Sequence, residues 1–376
     1  MLHAPPGSES PSLKQVEFNT ISSSFGGLSS RVAALHSELL SFPPGINYPP
    51  HPLLDGRVPP ENTAVETLTT GLIVAHKTYG PSRSSPSLPL CIIFVVQEGE
   101  RNIFDQLALS KMISDLREIP VFRVTTRDIL DLTSIPGSNS SRPLIYTPPH
   151  APSTSFEATT IYLRGFYAPT DYTSERDWAA RLQLERSAAI KCPTVLSQLS
   201  GCKKIQQVLA DPNGADHLSR FLDPGDSETA DKIRRTFAPQ YDLSEKGRGR
   251  ELALNAETAA LHVLKPQREG GGNNIYRTAI PDFLRSISEK DWKSWVLMEL
   301  IQPPSEAKNV ALRSDGEVIS GDVVSELGIF GAILWSSDGE ILHNEQGGWL
   351  MRTKGKESDE GGVAAGFSSL DSVILY

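Results

Sequence analysis

Lys265, Arg268 and Glu269 stand just ahead of three consecutive glycines in the run Leu264-Lys265-Pro266-Gln267-Arg268-Glu269-Gly270-Gly271-Gly272-Asn273-Asn274. The run follows an apolar stretch, Leu261-His262-Val263-Leu264. An apolar strand that ends in a loop without side chains lets backbone N–H groups close on an anion. Two cations and a carboxylate beside such a loop fit the phosphates of a nucleotide and the Mg²⁺ that accompanies them. The run is neither a Walker loop, which closes on Gly-Lys-Ser/Thr, nor the GxGxxG pattern. Taken alone, the same residues also make a flexible surface turn.

A second set lies near the start. In Gln15-Val16-Glu17-Phe18-Asn19-Thr20-Ile21, strand alternation sends Val16 and Phe18 to one face and Glu17 and Asn19 to the other. Two oxygen donors on one face suit Mg²⁺, although an amphipathic strand with a wet face has the same pattern. Ser22-Ser23-Ser24-Phe25-Gly26-Gly27 follows, and its small residues either line a polar pocket or make a turn. Arg352 and Lys354 stand at strand spacing ahead of a glycine-rich run that reaches Gly366. Arginine clamps carboxylates and lysine phosphates. A small-residue loop after them can close over reactants and exclude water, though a charged flexible loop reads the same. Glu100-Arg101-Asn102 with Gln106 opens a helix just after a strand, where α/β units bind ligands. Arg164 with Tyr167, and Lys203-Lys204, complete the polar clusters; a surface loop or a solvated helix face accounts for them equally. None of the eight histidines completes a Ser/His/Asp set, and no His or Cys spacing matches zinc.

These groups need elements to hold them. The longest apolar run, Leu88 to Val96, is too short to cross a bilayer and reads as a buried strand. Phe104 to Glu118 carries apolar residues at helical spacing, Val121–Val124 and Thr160–Leu163 read as strands, and 175–190 as a helix. This β-α-β order over 90–200 is that of a parallel-sheet unit. Further helices are expected over Lys203–Ala210, Ala230–Tyr241 and Arg250–Ala260. Strands are expected over Leu261–Leu264, Trp295–Glu299, Gly331–Trp335 and Glu340–Leu342, the last two joined by a turn at Ser336-Ser337-Asp338-Gly339. Residues 1–12, rich in Pro, Ser and Gly, are expected to be disordered, and 42–63 carry seven prolines. Residues 81–89 and 134–155 read as Ser/Pro-rich loops.

The 376 residues are enough for about two domains. An apolar content of 39% and a charged content of 22% describe an ordinary globular chain. A net charge of −9, from 36 basic and 45 acidic residues, argues against a nucleic-acid or anionic-membrane surface. A polyphosphate must then be held by a local basic pocket. Three cysteines without a CxxC pair, and a start without basic or apolar signal regions, point to the cytoplasm.

Together these pieces resemble the eukaryotic glutathione synthetase family. The resemblance rests on Gln15–Leu28, Glu100–Gln106, Leu184–Pro193, Gly201–Gln207, Lys265–Asn274, Ser325–Gly331 and Arg352–Gly366, in one order along the chain. It implies an α+β ATP-grasp fold with an inserted α/β parallel-sheet substrate-binding domain at 90–200. Residues 13–89 would be the N-terminal part of the ATP-grasp and substrate region. Residues 201–376 would be the nucleotide-binding domain, with its glycine-rich loop at 265–276 and a lid loop at 352–366. The implied activity is ATP-dependent joining of glycine to γ-glutamylcysteine through an acyl phosphate, with Mg²⁺, in a homodimer that has no nucleic-acid or membrane partner. By the same resemblance, Glu17, Asn19 and Glu269 would hold Mg²⁺. Glu17, Lys203, Lys265, Pro266, Gln267, Arg268, Glu269, Gly270, Gly271, Gly272, Asn273, Asn274, Tyr276, Met298, Glu299, Leu300, Ile301, Glu326, Lys354 and Glu360 would surround ATP. Ile21, Ser22, Ser23, Ser24, Glu100, Arg101, Asn102, Gln106, Arg164, Gly165, Phe166 and Tyr167 would line the dipeptide site. Arg352, Val363 and Ala364 would take the carboxylate end, with Arg352 and Lys354 as catalytic residues.

The chain departs from the family pattern in places. Gly165-Phe166 stands where Asp-Gly is common, Leu300 where a basic residue is frequent, and Glu360 where an aspartate is usual. Met1-Leu2-His3 resembles the end of an Arg-Ser-Asp-Tyr-Met stretch whose arginine contacts the peptide substrate in the family. On this reading the chain lacks the family's N-terminal segment and has weak or no ligase activity. The alternatives to an active ligase are an impaired fragment or non-catalytic partner subunit, and a relative that uses another amino acid in place of glycine.

Overall fold

The computed structural model describes the chain except for residues 6, 44–45, 47–53, 55, 138–139, 215, 224, 245–246, 270–271, 305–307, 313–315, 360, 364–365 and 376. It divides into two compact units. An α/β unit comprises Ile21–Leu196, Leu327–Arg352 and Leu370–Tyr376; an antiparallel unit comprises Met1–Thr20, Ser197–Glu326 and Thr353–Ser369. This division differs from the expected boundaries. Residues 21–89 group with the segment that follows them, and Leu327–Arg352 also belongs to the α/β unit.

The α/β unit contains helices α1 (Gly26–Leu40) and α2 (Ala64–Tyr79), then β1 (Leu90–Val96), α3 (Ile103–Arg117), β2 (Val121–Thr125), β3 (Thr133–Ser134), β4 (Leu144–Tyr146), β5 (Phe156–Leu163), α4 (Glu175–Arg186) and β6 (Ile190–Cys192). The strands form one sheet in the order β2-β1-β5-β4-β3, with β6 also beside β5. β1 is parallel to β2 and β5, and β6 is parallel to β5; β3 and β4 are antiparallel additions, so the sheet is mixed. β1 is apolar throughout because both its faces are covered. Cys91, Ile93 and Val95 join a core with Ala180 and Leu184 of α4. The alternate residues Ile92, Phe94 and Val96 meet Leu72 and Ile73 of α2 and Leu109 and Ile113 of α3.

One charge sits inside this sheet. Glu157 on β5 is fully buried and accepts from Tyr79 OH (2.6 Å), Ser82 Oγ (2.6 Å), Ser84 Oγ (2.6 Å) and the Arg83 and Ser84 amides (2.8 and 3.0 Å). The Ser/Pro loop after α2 therefore folds around a carboxylate.

The antiparallel unit contains α5 (Lys203–Ala210), α6 (Ser227–Thr236), β7 (Gln240–Asp242), α7 (Arg248–Leu254), β8 (His262–Pro266), β9 (Ile275–Tyr276), α8 (Ala279–Ser286) and β10 (Trp295–Glu299). Its antiparallel sheet has the order β9-β8-β10-β7. Leu264 and Leu297 face a core with Tyr241, Ala253, Ile280, Leu284 and Trp292. Val263 and Met298 face the other way, into a small cluster with Ala238. A further sheet, in chain order, joins β11 (Lys308–Leu312), β12 (Val318–Trp335), β13 (Ile341–Gly355) and β14 (Ser369–Asp371); β12 and β13 run through both units.

Several expectations need correction. Residues 1–12 carry structure, since Leu2–His3 pairs antiparallel with Ser12–Leu13 and the Ala4 amide donates to the Gln302 carbonyl. Gln15–Ile21 is not a strand: Gln15 makes one bridge to Phe237, and the segment is held by side chains. The helix expected over Ala230–Tyr241 ends at Thr236, because Pro239 disfavours helix at the residue before it, and Gln240–Asp242 is a strand. Arg250–Ala260 breaks at Asn255, whose Oδ1 caps a second short helix by accepting the Glu257 and Thr258 amides (2.8 and 3.4 Å). The helix expected over 175–190 stops at Arg186, before β6.

Burial raises the Glu157 pKa, but the hydrogen bonds from Ser82, Ser84, Tyr79 and the Arg83 amide outweigh it and leave the carboxyl below its usual range. A carboxyl depressed on folding contributes stability at neutral pH that is lost as the pH falls through the folded pKa. Glu157→Ala is expected to destabilise the protein by about 3 kcal/mol at pH 7. The deficit should shrink between about pH 5 and pH 3, where the wild type loses the same contribution. Denaturant melts of both proteins across this range check it; a constant deficit would rule the account out.

Candidate active site

In the antiparallel unit the glycine run is the loop of a β-hairpin. β8 ends at Pro266 and β9 starts at Ile275, with Val263 opposite Tyr276 and Leu264 opposite Ile275. Gly270 and Gly271 lie outside the described residues; Gly272 has φ +88°, the left-handed conformation that favours glycine. The stem of the loop is tied twice to the start of α5. Gln267 Oε1 accepts the Lys204 amide (3.1 Å), and Lys203 Nζ donates to the Arg268 carbonyl (2.7 Å). Arg268 thus contributes backbone, while its side chain is exposed.

Lys203 is only 8% exposed, and its Nζ also lies 3.9 Å from Glu17 Oε2 and 3.8 Å from Glu269 Oε2. Asn19 Nδ2 donates to Glu17 Oε1 (3.1 Å), and the buried Lys265 donates to the Val16 carbonyl (3.3 Å). Five polar residues from three distant segments therefore meet here. Burial raises the Glu269 pKa and Glu17 adds to this; Lys203 and Lys265 oppose them, and the net shift is upward. Two carboxylates around one cation resist simultaneous ionisation unless more positive charge arrives.

The other expected nucleotide residues lie on the same sheet. Tyr276, Leu300 and Ile301 pack against Ala238, Val263 and Met298 in a small apolar cluster. Glu299 is turned to the opposite face, where it accepts from Tyr241 OH (2.6 Å). Pro266 closes β8 opposite Trp295, and Asn274 Nδ2 donates to Tyr276 OH (3.1 Å) beside the half-buried Asn273. Lys354 Nζ donates to the Asp359 carbonyl (2.8 Å), and the Asp359 carboxylate pairs with Arg277, the residue after β9. Glu326 on β12 and Val363 are half-buried; Glu360 and Ala364 lie outside the described residues.

In the α/β unit the expected peptide-binding residues gather at the carboxyl ends of β1 and β5. From β1 the chain steps to β2 on one side and returns to β5 on the other, and α/β sheets bind ligands where strand order reverses in this way. Gln106 Nε2 donates to Glu100 Oε2 (3.0 Å), and Arg123 of β2 donates to Gln106 Oε1 (2.9 Å). The Asn102 amide donates to Glu100 Oε1 (2.8 Å), and Arg101 beside it is exposed. Tyr167 OH donates to Gln97 Oε1 (3.2 Å). Gly165 passes so close to Thr126 that a side chain there would collide with its methyl group. Arg352 is half-buried on β13, two residues before Lys354.

Phe166 and Ile21 are placed differently from a ligand-facing role, and Arg164 is turned partly inward, with its Nε buried and without a hydrogen-bond partner. Arg164 is buried and donates to the Ser23 carbonyl (2.5 Å) and Ser24 Oγ (2.6 Å). Phe166 and Ile21 are core residues, Phe166 stacking on Tyr172. Their side chains satisfy the core, which leaves only their backbone to a ligand. The serine turn itself is strained at both ends, with φ +52° at Ser22 and +72° at Phe25.

A family model described as "Eukaryotic glutathione synthase, ATP binding domain" matches residues 1–375. The chain belongs to this family. It is 37% identical to a glutathione synthetase of Dictyostelium discoideum over 378 residues, which covers 100% of this chain and 75% of that protein. It is 38% identical to a glutathione synthetase large chain of Schizosaccharomyces pombe, covering 96% and 71% respectively. Its fold is similar to that of a glutathione synthetase-like effector from Globodera pallida, with a TM-score of 0.70 at 19% identity, over 99% of this chain and 74% of that one.

A residue that sequence reasoning left without a role is Asp105. It is buried and accepts the amides of Phe25 (2.8 Å), Gly27 (2.7 Å) and Leu28 (3.4 Å) at the start of α1. A negative group at a helix N-terminus satisfies orphan amides and complements the helix dipole. Its partners are some eighty residues away, so only its place between Asn102 and Gln106 hinted at it. Asp105→Ala is expected to cost about 2–4 kcal/mol and to free the strained turn. Amide exchange at Phe25, Gly27 and Leu28 reads this directly, and unchanged protection there would count against the anchoring role.

Proposed function

We propose that this chain is an ATP-dependent ligase that joins glycine to γ-glutamylcysteine and makes glutathione. The observation that carries the reading is the convergence of Glu17, Asn19, Lys203, Lys265 and Glu269 beside a glycine hairpin, in a chain that belongs to the glutathione synthases. The fold we assign is the α+β ATP-grasp fold. We retain residues 90–200 as the heart of the substrate-binding domain and 201–376 as that of the nucleotide-binding domain. A cytoplasmic homodimer is part of the same proposal; among the described residues no helix is long and apolar enough to cross a membrane.

The donor set fits Mg²⁺. Glu17, Glu269 and Asn19 offer hard oxygen donors, and Mg²⁺ is held through one or two carboxylates together with substrate phosphates. Among the described residues there is no group of three or more His, Cys, Asp or Glu that could hold a metal by itself. Held by Glu17, Glu269 and Asn19, the ion would supply neutralisation of phosphate charge.

The protein's own groups do the rest by positioning. Lys203 and Lys265, both buried, place fixed positive charge where phosphate charge develops. The apolar cluster on the Val263/Met298 face, whose partly buried members are Tyr276, Leu300 and Ile301, accepts the flat face of the base. A substrate carboxylate oxygen attacks the γ-phosphorus, the bond to the β-phosphate oxygen breaks, and ADP leaves. The glycine amine then attacks the acyl carbon, the bond to phosphate breaks, and the amine's proton leaves with phosphate or solvent. No protein nucleophile is needed. Exclusion of water by the 352–366 loop protects the acyl phosphate.

The purified chain should release ADP only when ATP, γ-glutamylcysteine and glycine are all present, with glutathione as product. ADP release indifferent to glycine, or faster with alanine or serine, would contradict the assignment. Glu269→Gln is expected to lower turnover by at least about 100-fold at saturating Mg²⁺. Because the Glu269 pKa is raised on folding, the wild type loses stability as pH rises through that folded pKa. The nucleotide-free variant should therefore melt no lower than the wild type at pH 7. A large drop in melting temperature would mean that Glu269 is structural.

A further inference from the structure

Helix α5 is amphipathic the wrong way round. Ile205 and Val208 are 44% and 36% exposed, while its buried residues are Lys203 and Gln207. These two stand four residues apart, hence on one face and one turn apart. The ion pair of Lys204 Nζ with Asp242 Oδ1 (2.7 Å) fixes the helix beside β7. Asp242 and Gln240 alternate onto one face of β7; Gln240 is opposite Met298, and Met298 is opposite Val263. The helix is thus anchored over the sheet face that carries the small apolar cluster.

A buried face built from lysine and glutamine needs polar partners. Lys203 has them. Gln207 is 3% exposed and has half of its own. Its Nε2 donates to Asp211 Oδ2 (3.1 Å), and since an ionised carboxylate only accepts, the amide cannot be turned the other way. That leaves Oε1, which is buried and has no hydrogen-bond partner. An orphaned acceptor of this kind costs free energy unless a donor arrives from outside the chain.

We propose that Gln207 is a nucleotide-binding residue whose carbonyl oxygen accepts from the exocyclic amine of an adenine lying on the Val263/Met298 face. This rests on the reading of that face as the nucleotide site. Phosphates carry no donor, so they cannot satisfy Oε1. Ribose hydroxyls can, but the group beside an apolar patch is the base, whose amine is its only strong donor. A base with a carbonyl at the same position would set acceptor against acceptor. Gln207 therefore selects adenine over hypoxanthine and guanine.

The test measures the KM for ATP and for ITP, which replaces the amine by a carbonyl, in the wild type, Gln207→Leu and Gln207→Met. The wild type should favour ATP over ITP by at least about 10-fold. Each variant should raise the KM for ATP by about 3- to 10-fold, leave ITP unchanged or improved, and keep kcat. Equal use of ATP and ITP by the wild type would overturn the proposal without any variant being made. Parallel rises for both nucleotides would overturn it too, because they would point to the ribose or to packing. If neither nucleotide raises the melting temperature of the wild type, the nucleotide site itself fails. ATP stabilisation without discrimination removes only the role of Gln207.

Discussion

The ammonium of Lys203 is the interaction on which the nucleotide side of this protein depends. It is buried, donates to the Arg268 carbonyl, and lies within 4 Å of both Glu17 and Glu269. A lysine taken out of water is tolerated only where charge and hydrogen bonds compensate it. Here the compensation comes from the extended Glu17 segment and the glycine hairpin, so the same contacts that satisfy the lysine bring those segments to α5. The local balance is nonetheless incomplete. Glu269 is held with its pKa above the ordinary range, as expected where two carboxylates face each other across one cation. Sites arranged for a charged ligand carry that kind of imbalance.

The α/β unit uses the same device with the roles divided among three charges. Asp105 holds the amides at the start of α1, Arg164 holds the Ser23 carbonyl and the Ser24 hydroxyl, and Glu157 holds the loop after α2. Each is a buried charge whose partners lie in a loop or at the end of a helix where the chain turns. Loops make few apolar contacts of their own, so hydrogen bonds to a charge, stronger than those between neutral groups, are an effective way to fix them. The strained φ values at Ser22 and Phe25 persist because buried charges on both sides over-determine the turn.

What was legible in the sequence was what is local. The apolar run that became β1 declared a strand covered on both faces, and Lys203–Ala210 declared its helix to the residue. Alternation at Gln15–Ile21 was misleading because a strand needs a neighbour, and pairing is a property of the whole fold. Proline at 239 is a local signal for the end of α6. The roles of Arg164, Phe166 and Asp105 were not readable at all. A motif places such residues near a ligand, but whether a side chain faces the ligand or braces the loop that does depends on atoms far along the chain. The inverted burial of α5 was hidden for the same reason, since Ile205 and Val208 look like the inward face of any helix.

The expected lid loop at 352–366 begins as strand, since Arg352–Gly355 closes β13, and the segment after it differs from these anchors in kind. Its pairing of Asp359 with Arg277 joins side chains that are 44% and 49% exposed. Such a pair is screened by solvent and contributes at most about 1 kcal/mol. The buried contacts around Lys203 are not screened in this way and hold their geometry. A pair of that kind constrains its segment less than the buried contacts around Lys203 constrain theirs. Arg277 directly follows the hairpin strand that carries Tyr276. The exposed Asp359–Arg277 pair is thus one contact through which a displacement of that hairpin reaches the segment after β13.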